Sequence, residues 1–151
     1  MRWFHVRQVQ TAPDPSRVPT TRVPPTDWTD PRHRDGWQAE ITAGRWLQRR
    51  GWRIEAHRWR LGHHDLDLVA RRGDLVAFVE VKARRSNQFG AGEEAVGPRK
   101  QRVIERVAWT WILKNGRPGD QYRFDVLVLT GEGPGAQALN HIEDAWRPGW
   151  R

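Results

Sequence analysis

Hydrophobic and polar positions fall into regular periods only after residue 34. The stretch GWQAEITAGRWLQRRGW carries Trp37, Ile41, Ala43, Gly44 and Leu47 at helical spacing. Asp35 is placed to cap its start, Arg49 and Arg50 to lie in its last turn, and Gly51 to follow as the stop. WRIEAHRWR then alternates Trp52, Ile54 and Ala56 with Arg53, Glu55 and His57, the period of a half-buried strand. LGHH reads as a turn, DLDLVARR as a second strand, RRGD as a tight turn and LVAFVEVKARR as a third strand. That third strand is apolar on both faces up to Glu80, which predicts a central, doubly covered position. Residues 85–97 read as loop. PRKQRVIERVAWTWILKNG predicts a second helix with Val103, Ile104, Val107, Ala108, Trp111 and Ile112 on one stripe and Gly116 near its stop. QYRFDVLVLT is a fourth strand, residues 131–137 are a Gly-rich loop, and ALNHIEDAW is a last short strand or turn. The order α-β-β-β-α-β, with or without that closing strand, predicts an α/β sandwich around a mixed sheet.

The first 34 residues have neither period. Six of the ten prolines lie there among Thr, Ser, Asp and Arg. Such a segment buries too little apolar surface to offset its ordering entropy, so residues 1–34 read as a disordered or weakly ordered tail and residues 35–151 as the folded domain. A chain of 151 residues can bury a core without staples. The absence of cysteine excludes a disulfide framework, a zinc ribbon and a thiol nucleophile. No apolar run approaches the ~20 residues a membrane span needs, and MRWFHVRQVQTAPDPS has no apolar core of a secretory signal. A cytoplasmic protein without membrane contact is the expectation.

Charge changes the picture more. The formal net charge is +8, which favours polyanionic partners such as nucleic acid or anionic lipid. Of the 26 cationic side chains 23 are Arg, and Lys82, Lys100 and Lys114 are the three exceptions. A GC-rich coding sequence accounts for that bias as readily as recognition does. It still singles out each Lys as a candidate for a task that Arg cannot perform.

The densest chemistry lies in DLDLVARRGDLVAFVEVK. Residues two apart on a strand share a face, so Asp65 and Asp67 point one way and Phe78, Glu80 and Lys82 share a face on the next strand. A hairpin loop with an even number of residues, two at Arg72–Gly73 or four, sets 65 opposite 80 and 67 opposite 78. Asp65, Asp67, Glu80 and Lys82 then meet on one side, whereas an odd loop separates the two sets. Clustered carboxylates beside an apolar strand repel one another and lose hydration, and a divalent cation offsets both costs. Lys82 would then orient water, move a proton or stabilise a charged phosphoryl group. The same residues also fit a solvated salt-bridge ladder worth ~0–1 kcal/mol per pair. The pattern alone leaves both readings open.

Asp67, a gap, then Glu80-Val81-Lys82 resembles the PD-(D/E)XK nuclease superfamily. More narrowly, the chain is similar to the YraN family of small bacterial proteins. The matching stretches, in order, are AEITAGRWLQRRGWRI, HHDLDLVA, FVEVKARR, Phe89–Gly90, Glu94–Val96, Lys100 with Arg102, RFDV at Arg123–Val126, and HIEDAW. The resemblance spans about residues 36–146. It implies a restriction-endonuclease-like three-layer sandwich, with archaeal Holliday junction resolvases closest in layout. It also implies Mg²⁺ or Mn²⁺ as cofactor and DNA as partner, hence an endonuclease or a non-catalytic nucleic-acid-binding module. Carried over, Asp67 and Glu80 are metal ligands, Lys82 is the catalytic lysine, and Glu40 is the helix-borne acid that completes the site directly or through water. A resolvase-like role further implies a homodimer. The chain departs from the family pattern at Ala39, where a Gly usually precedes the acid, at His64-Asp65 in place of Gly-Glu, and at Ala83 in place of Thr.

Further basic positions could grip phosphates: Arg84 and Arg85 just past Lys82, and Arg99, Lys100 and Arg102 at the start of the second helix, where the helix end itself favours anions. Solvated surface charge explains them equally well. His63 and His64 suggest a metal site only weakly, because adjacent turn residues point apart. Asp125 is expected to pair with Arg123 or a cap, and Trp109 and Trp111 to serve as core or as a subunit contact.

Overall fold

The computed structural model of the chain describes residues 31–84, 96–131 and 138–150, and side chains from Gly36 onward. Most of the expected tail, most of the 85–97 loop with Arg85, Phe89, Gly90 and Glu94, and residues 132–137 lie outside the described residues. Helix α1 (Pro31–Arg49) is followed by β1 (Arg53–Leu61), β2 (His64–Arg72), β3 (Leu75–Arg84), helix α2 (Pro98–Asn115), β4 (Gln121–Thr130) and β5 (Ala138–Trp146). The strands form one sheet in the order β1-β2-β3-β4-β5. β3 and β4 are parallel, with α2 between them in the chain, and the other neighbours are antiparallel.

Each helix covers one face. Ala39, Ala43 and Leu47, four residues apart on α1, pack with Ile54, Leu68, Ala70, Ala77, Val79, Leu127 and Leu129. Ile104, Val107, Ala108 and Trp111 of α2 pack with Val69, Val76, Phe78, Phe124 and Val126 on the other face. Alternate residues of β3 and β4 feed alternate cores, which is why Val76–Glu80 is buried without interruption. The α/β sandwich around a mixed sheet and the central place of β3 are as the hydropathy pattern implies.

Several expectations need correction. Helix α1 begins at Pro31, so Asp35 is interior to it and is not its cap. Proline has no N–H to lose in a first helical turn and its φ is already helical, so the last proline of the tail opens the helix. The closing segment is a full nine-residue strand, β5. In β1 the register shifts between Ile54 and Ala56, and Ala56 and His57 are both buried. The expected outward set of Arg53, Glu55 and His57 therefore breaks at its third member. Trp111 is core, whereas Trp109 is 47% exposed. Gly51 ends α1 as expected, at φ +86°, where a Cβ would be strained.

Asp125 is fully buried and belongs to the frame. Arg123 donates two hydrogen bonds to it (2.7 and 2.8 Å), His141 one (2.8 Å) and the Asp144 backbone N–H another (3.0 Å). Burial alone would raise the pKa of this carboxyl; His141, Arg123 and the Asp144 N–H more than offset it and hold it below the usual carboxylate range. A depressed folded-state pKa stabilises the fold above the unfolded value of about 3.9, and that contribution is lost as pH falls through the lower folded value. Asp125→Asn should therefore cost about 2–4 kcal/mol at pH 7, and urea unfolding should show the gap to wild type narrowing below about pH 4. A gap that stays constant down to pH 2 contradicts this account.

Candidate functional site

The β2–β3 hairpin turns through two residues, Gly73 and Asp74, with Arg72 paired to Leu75 and Leu68 to Val79. The turn lies one residue later than the sequence suggests because glycine takes the left-handed position, φ +62°, at the front of the turn. The loop length stays even, so the expected face is kept, but the register moves by two. Continued one step, it sets Asp67 across from Glu80 rather than from Phe78.

The β2–β3 ladder ends at Leu68–Val79. Beyond it, the Val81 backbone N–H donates to Asp67 Oδ2 (2.9 Å), so a side chain takes the place of the missing strand partner. The same point is a bend in both β1 and β2. Leu66 lies in the α2-side core and Leu68 in the α1-side core, although two residues apart on a strand should share a face. In β1 the break is at Arg58, whose φ is +55°. His57 touches Trp37 and Glu40 of α1, while Trp59 Nε1 donates to Thr110 Oγ1 of α2 (3.1 Å). The bend separates Asp65 from Asp67. Asp65 faces Arg60 of β1 at 3.9 Å and does not join the acidic pair, which corrects the expected four-residue cluster.

Asp67 and Glu80 are near enough for each to shift the other's ionisation. Burial first, then the charges of Glu80 and Glu40, push Asp67 well above the usual carboxylate range, against the Val81 N–H. Glu80 is 4% exposed and is also raised, by burial; Lys100 and Lys82 oppose the rise. Nζ of Lys82 and Nζ of Lys100 each lie 3.8 Å from Glu80 Oε1, while Glu80 Oε2 is buried with no hydrogen-bond partner. The pair therefore keeps a proton to higher pH than either acid alone.

Glu40 is nearby but occupied. His57 Nε2 donates to its Oε2 (2.6 Å), and Arg58 donates to Oε2 and Oε1 (2.7 and 3.2 Å). Burial would raise its pKa; the bonds and charges of His57 and Arg58 prevail and keep it low. Among the described residues no three acidic or imidazole groups stand so as to share an ion. The family resemblance implies three acids around one point; Asp67 and Glu80 are neighbours, whereas Glu40 is turned to His57 and Arg58. His57 and Arg58 escaped the sequence reading because hydropathy marks both as outward or turn-like, and only the bend at Arg58 turns them toward α1.

The basic candidates divide. Lys100 is beside Glu80, so the first turn of α2 borders the acidic pair. Arg84 lies at the end of β3, partly exposed, and Arg99 and Arg102 are exposed on α2. Arg85 lies outside the described residues. His63 and His64 are exposed in and beside the β1–β2 turn.

A left-handed φ at a non-glycine residue costs on the order of 1 kcal/mol. The bonds from Arg58 to Glu40 hold that conformation. Arg58→Ala should cost about 2–3 kcal/mol in urea unfolding, because a buried carboxylate loses its main partner. Arg58→Gly should be about 1 kcal/mol less harmful, since glycine accepts the backbone angle. Equal losses in the two variants would remove the backbone-strain part of this account.

A model of the uncharacterised protein family UPF0102, the YraN family, matches residues 39–129, which include Glu40, Asp67, Glu80, Lys82 and Lys100. The chain is 39% identical over 112 residues to a UPF0102 protein of Rhodococcus jostii, covering 74% of this chain and 94% of that one. It is 36% identical over 120 residues to one from Pelotomaculum thermopropionicum, covering 78% and 98%. A UPF0102 protein of Nocardia farcinica is 42% identical over 111 residues, covering 72% and 85%. With these matches spanning most of the described fold, the chain belongs to the uncharacterised family UPF0102.

Proposed function

We propose that this protein is a divalent-metal-dependent endonuclease that hydrolyses phosphodiester bonds in DNA, branched DNA included. The observation that carries the reading is the acidic pair: two neighbouring carboxylates whose pKa values are both raised, with one oxygen of Glu80 buried and unsatisfied, and two of the chain's three lysines 3.8 Å from Glu80. Two neighbouring carboxylates repel by roughly 4 kcal/mol at an effective dielectric of ~20. One backbone hydrogen bond to an anion returns about 1.5–3 kcal/mol. The remainder calls for a proton or a cation, and the donor set suits Mg²⁺ or Mn²⁺, which take one or two carboxylates and fill the other positions with water and phosphate oxygens. Asp67 and Glu80 would hold the ion, which supplies Lewis-acid charge for a phosphoryl oxygen and for an attacking water.

The chain's own groups do the rest. The Val81 N–H fixes the Asp67 carboxylate. Lys82, whose side chain is 32% exposed, is reachable from solvent and presents its ammonium beside Glu80, where it orients water and stabilises charge on a pentavalent phosphoryl group. Lys100 and the α2 N-terminal turn add positive charge on the same side. Glu40, kept ionised by His57 and Arg58, supports the site from behind through its field. Held this way, it also favours a second reading, a module that binds DNA without cutting, since it leaves two acids rather than three free for an ion.

A panel of duplex, flap, junction and single-stranded DNA with Mg²⁺ or Mn²⁺ tests the proposal. Cleavage of at least one substrate is expected, lost by about 10²–10⁴-fold in Glu80→Gln and Lys82→Ala while circular dichroism stays native. Salt-sensitive binding without cleavage of any substrate selects the second reading. Independently, saturating Mg²⁺ should raise the melting temperature of wild type, with about 2.7 kcal/mol gained at one hundred times Kd, and leave Glu80→Gln unmoved.

A further inference from the structure

The outward face of α2 carries a second surface. Arg102, Arg106, Trp109 and Leu113 recur at helical spacing and all point to solvent. Trp109, Leu113 and Trp150 are 47%, 71% and 42% exposed, large values for apolar side chains. The Trp109 and Trp150 rings lie 5.5 Å apart at 56°. Together with Arg102, Arg106 and Glu105 they line an open cavity of about 680 Å³, within the range of small-ligand sites. Glu105 is already engaged, accepting from Trp146 Nε1 (3.1 Å).

From this arrangement we propose that the face binds an unpaired stretch of single-stranded DNA, with a base on the Trp109–Trp150 platform and phosphates on Arg102 and Arg106. It rests on the DNA reading above and adds to it a second contact surface, for an unpaired strand. Aromatic rings beside guanidinium groups match the two constant features of a single strand, a flat base and a phosphate at each step. The surface is distinct from the acidic pair: Trp109, nine residues beyond Lys100, lies about 13.5 Å along the helix axis and about half a turn round it, at 1.5 Å and about 100° per residue, and Arg102 and Arg106 share the Trp109 side. A second copy of the chain is the poorer occupant. The exposed apolar area amounts to roughly 300 Å², judged from ordinary side-chain areas, against roughly 450 Å² of apolar area in the ~800 Å² per partner of a stable interface.

Fluorescence anisotropy of a labelled dT15 strand with the full chain, in EDTA so that nothing is cut, is the test. Wild type should bind with salt-sensitive affinity. Trp109→Ala and Trp150→Ala, shown folded by circular dichroism, should each weaken binding about 5- to 100-fold. Trp109→Phe should stay within about threefold of wild type, and a blunt duplex should bind all four proteins alike. Native affinity for dT15 in both alanine variants overturns the proposal, as does tighter binding of rU15 than of dT15. Self-association of wild type that Trp109→Ala abolishes assigns the face to a second copy and equally overturns it. Glu80-dependent cleavage of duplex with no binding of dT15 sinks this inference alone. Trp109-dependent binding with no cleavage of any substrate sinks the endonuclease and leaves this inference standing.

Discussion

The structure depends on a fork. Where β2 and β3 part, the Val81 N–H loses its strand partner and takes the Asp67 carboxylate instead. The same strand end holds Asp67 near Glu80, and two neighbouring buried acids are a liability at neutral pH. An apolar pair would stabilise the sheet end better. A fold that keeps both acids, and sets Lys82 and Lys100 at 3.8 Å without closing either into a short ion pair, has its charges arranged for something other than its own stability.

The fork requires the neighbouring strand to bend. A flat β1–β2 ribbon would keep Leu66 and Leu68 on one face and carry Asp65 and Asp67 together. Arg58, at φ +55°, breaks β1 opposite the bend in β2, so that Trp59 and Leu66 serve the α2 core while Leu68 serves the α1 core. The strain at Arg58 is offset by its grip on Glu40. Helix α1, the bend and the acidic pair are thus linked through one buried carboxylate, and Glu40 contributes as a fixed charge behind the site. Asp125, with Arg123, His141 and the Asp144 N–H around it, holds β4 and β5 together away from the fork.

Helix α2 joins two surfaces. Its first turn brings Lys100 to Glu80, and its opposite, solvent face carries Arg102, Arg106 and the paired tryptophans. Among the described residues no helix is long and apolar enough to cross a membrane, and the exposed tryptophans belong to this amphipathic face of a packed helix.

The order of elements, the central place of β3, the shared face of Asp67 and Glu80 and the pairing of Asp125 with Arg123 were all legible in the sequence, because each follows from local periodicity or from the parity of a hairpin loop. The start of α1, the two-residue slip of the hairpin, the burial of His57, the loss of Asp65 from the cluster and the exposure of Trp109 were not. Each depends on where one strand or helix meets another. Hydropathy has period two along a strand and cannot register a bend that reverses its faces, and a tryptophan at helical spacing looks the same whether or not a neighbour covers it. The chain by itself determined which charges are available and on which elements they ride. Only the tertiary structure decided which of them touch, since contact between residues remote in sequence is set by packing and by where backbone hydrogen bonds run out of partners.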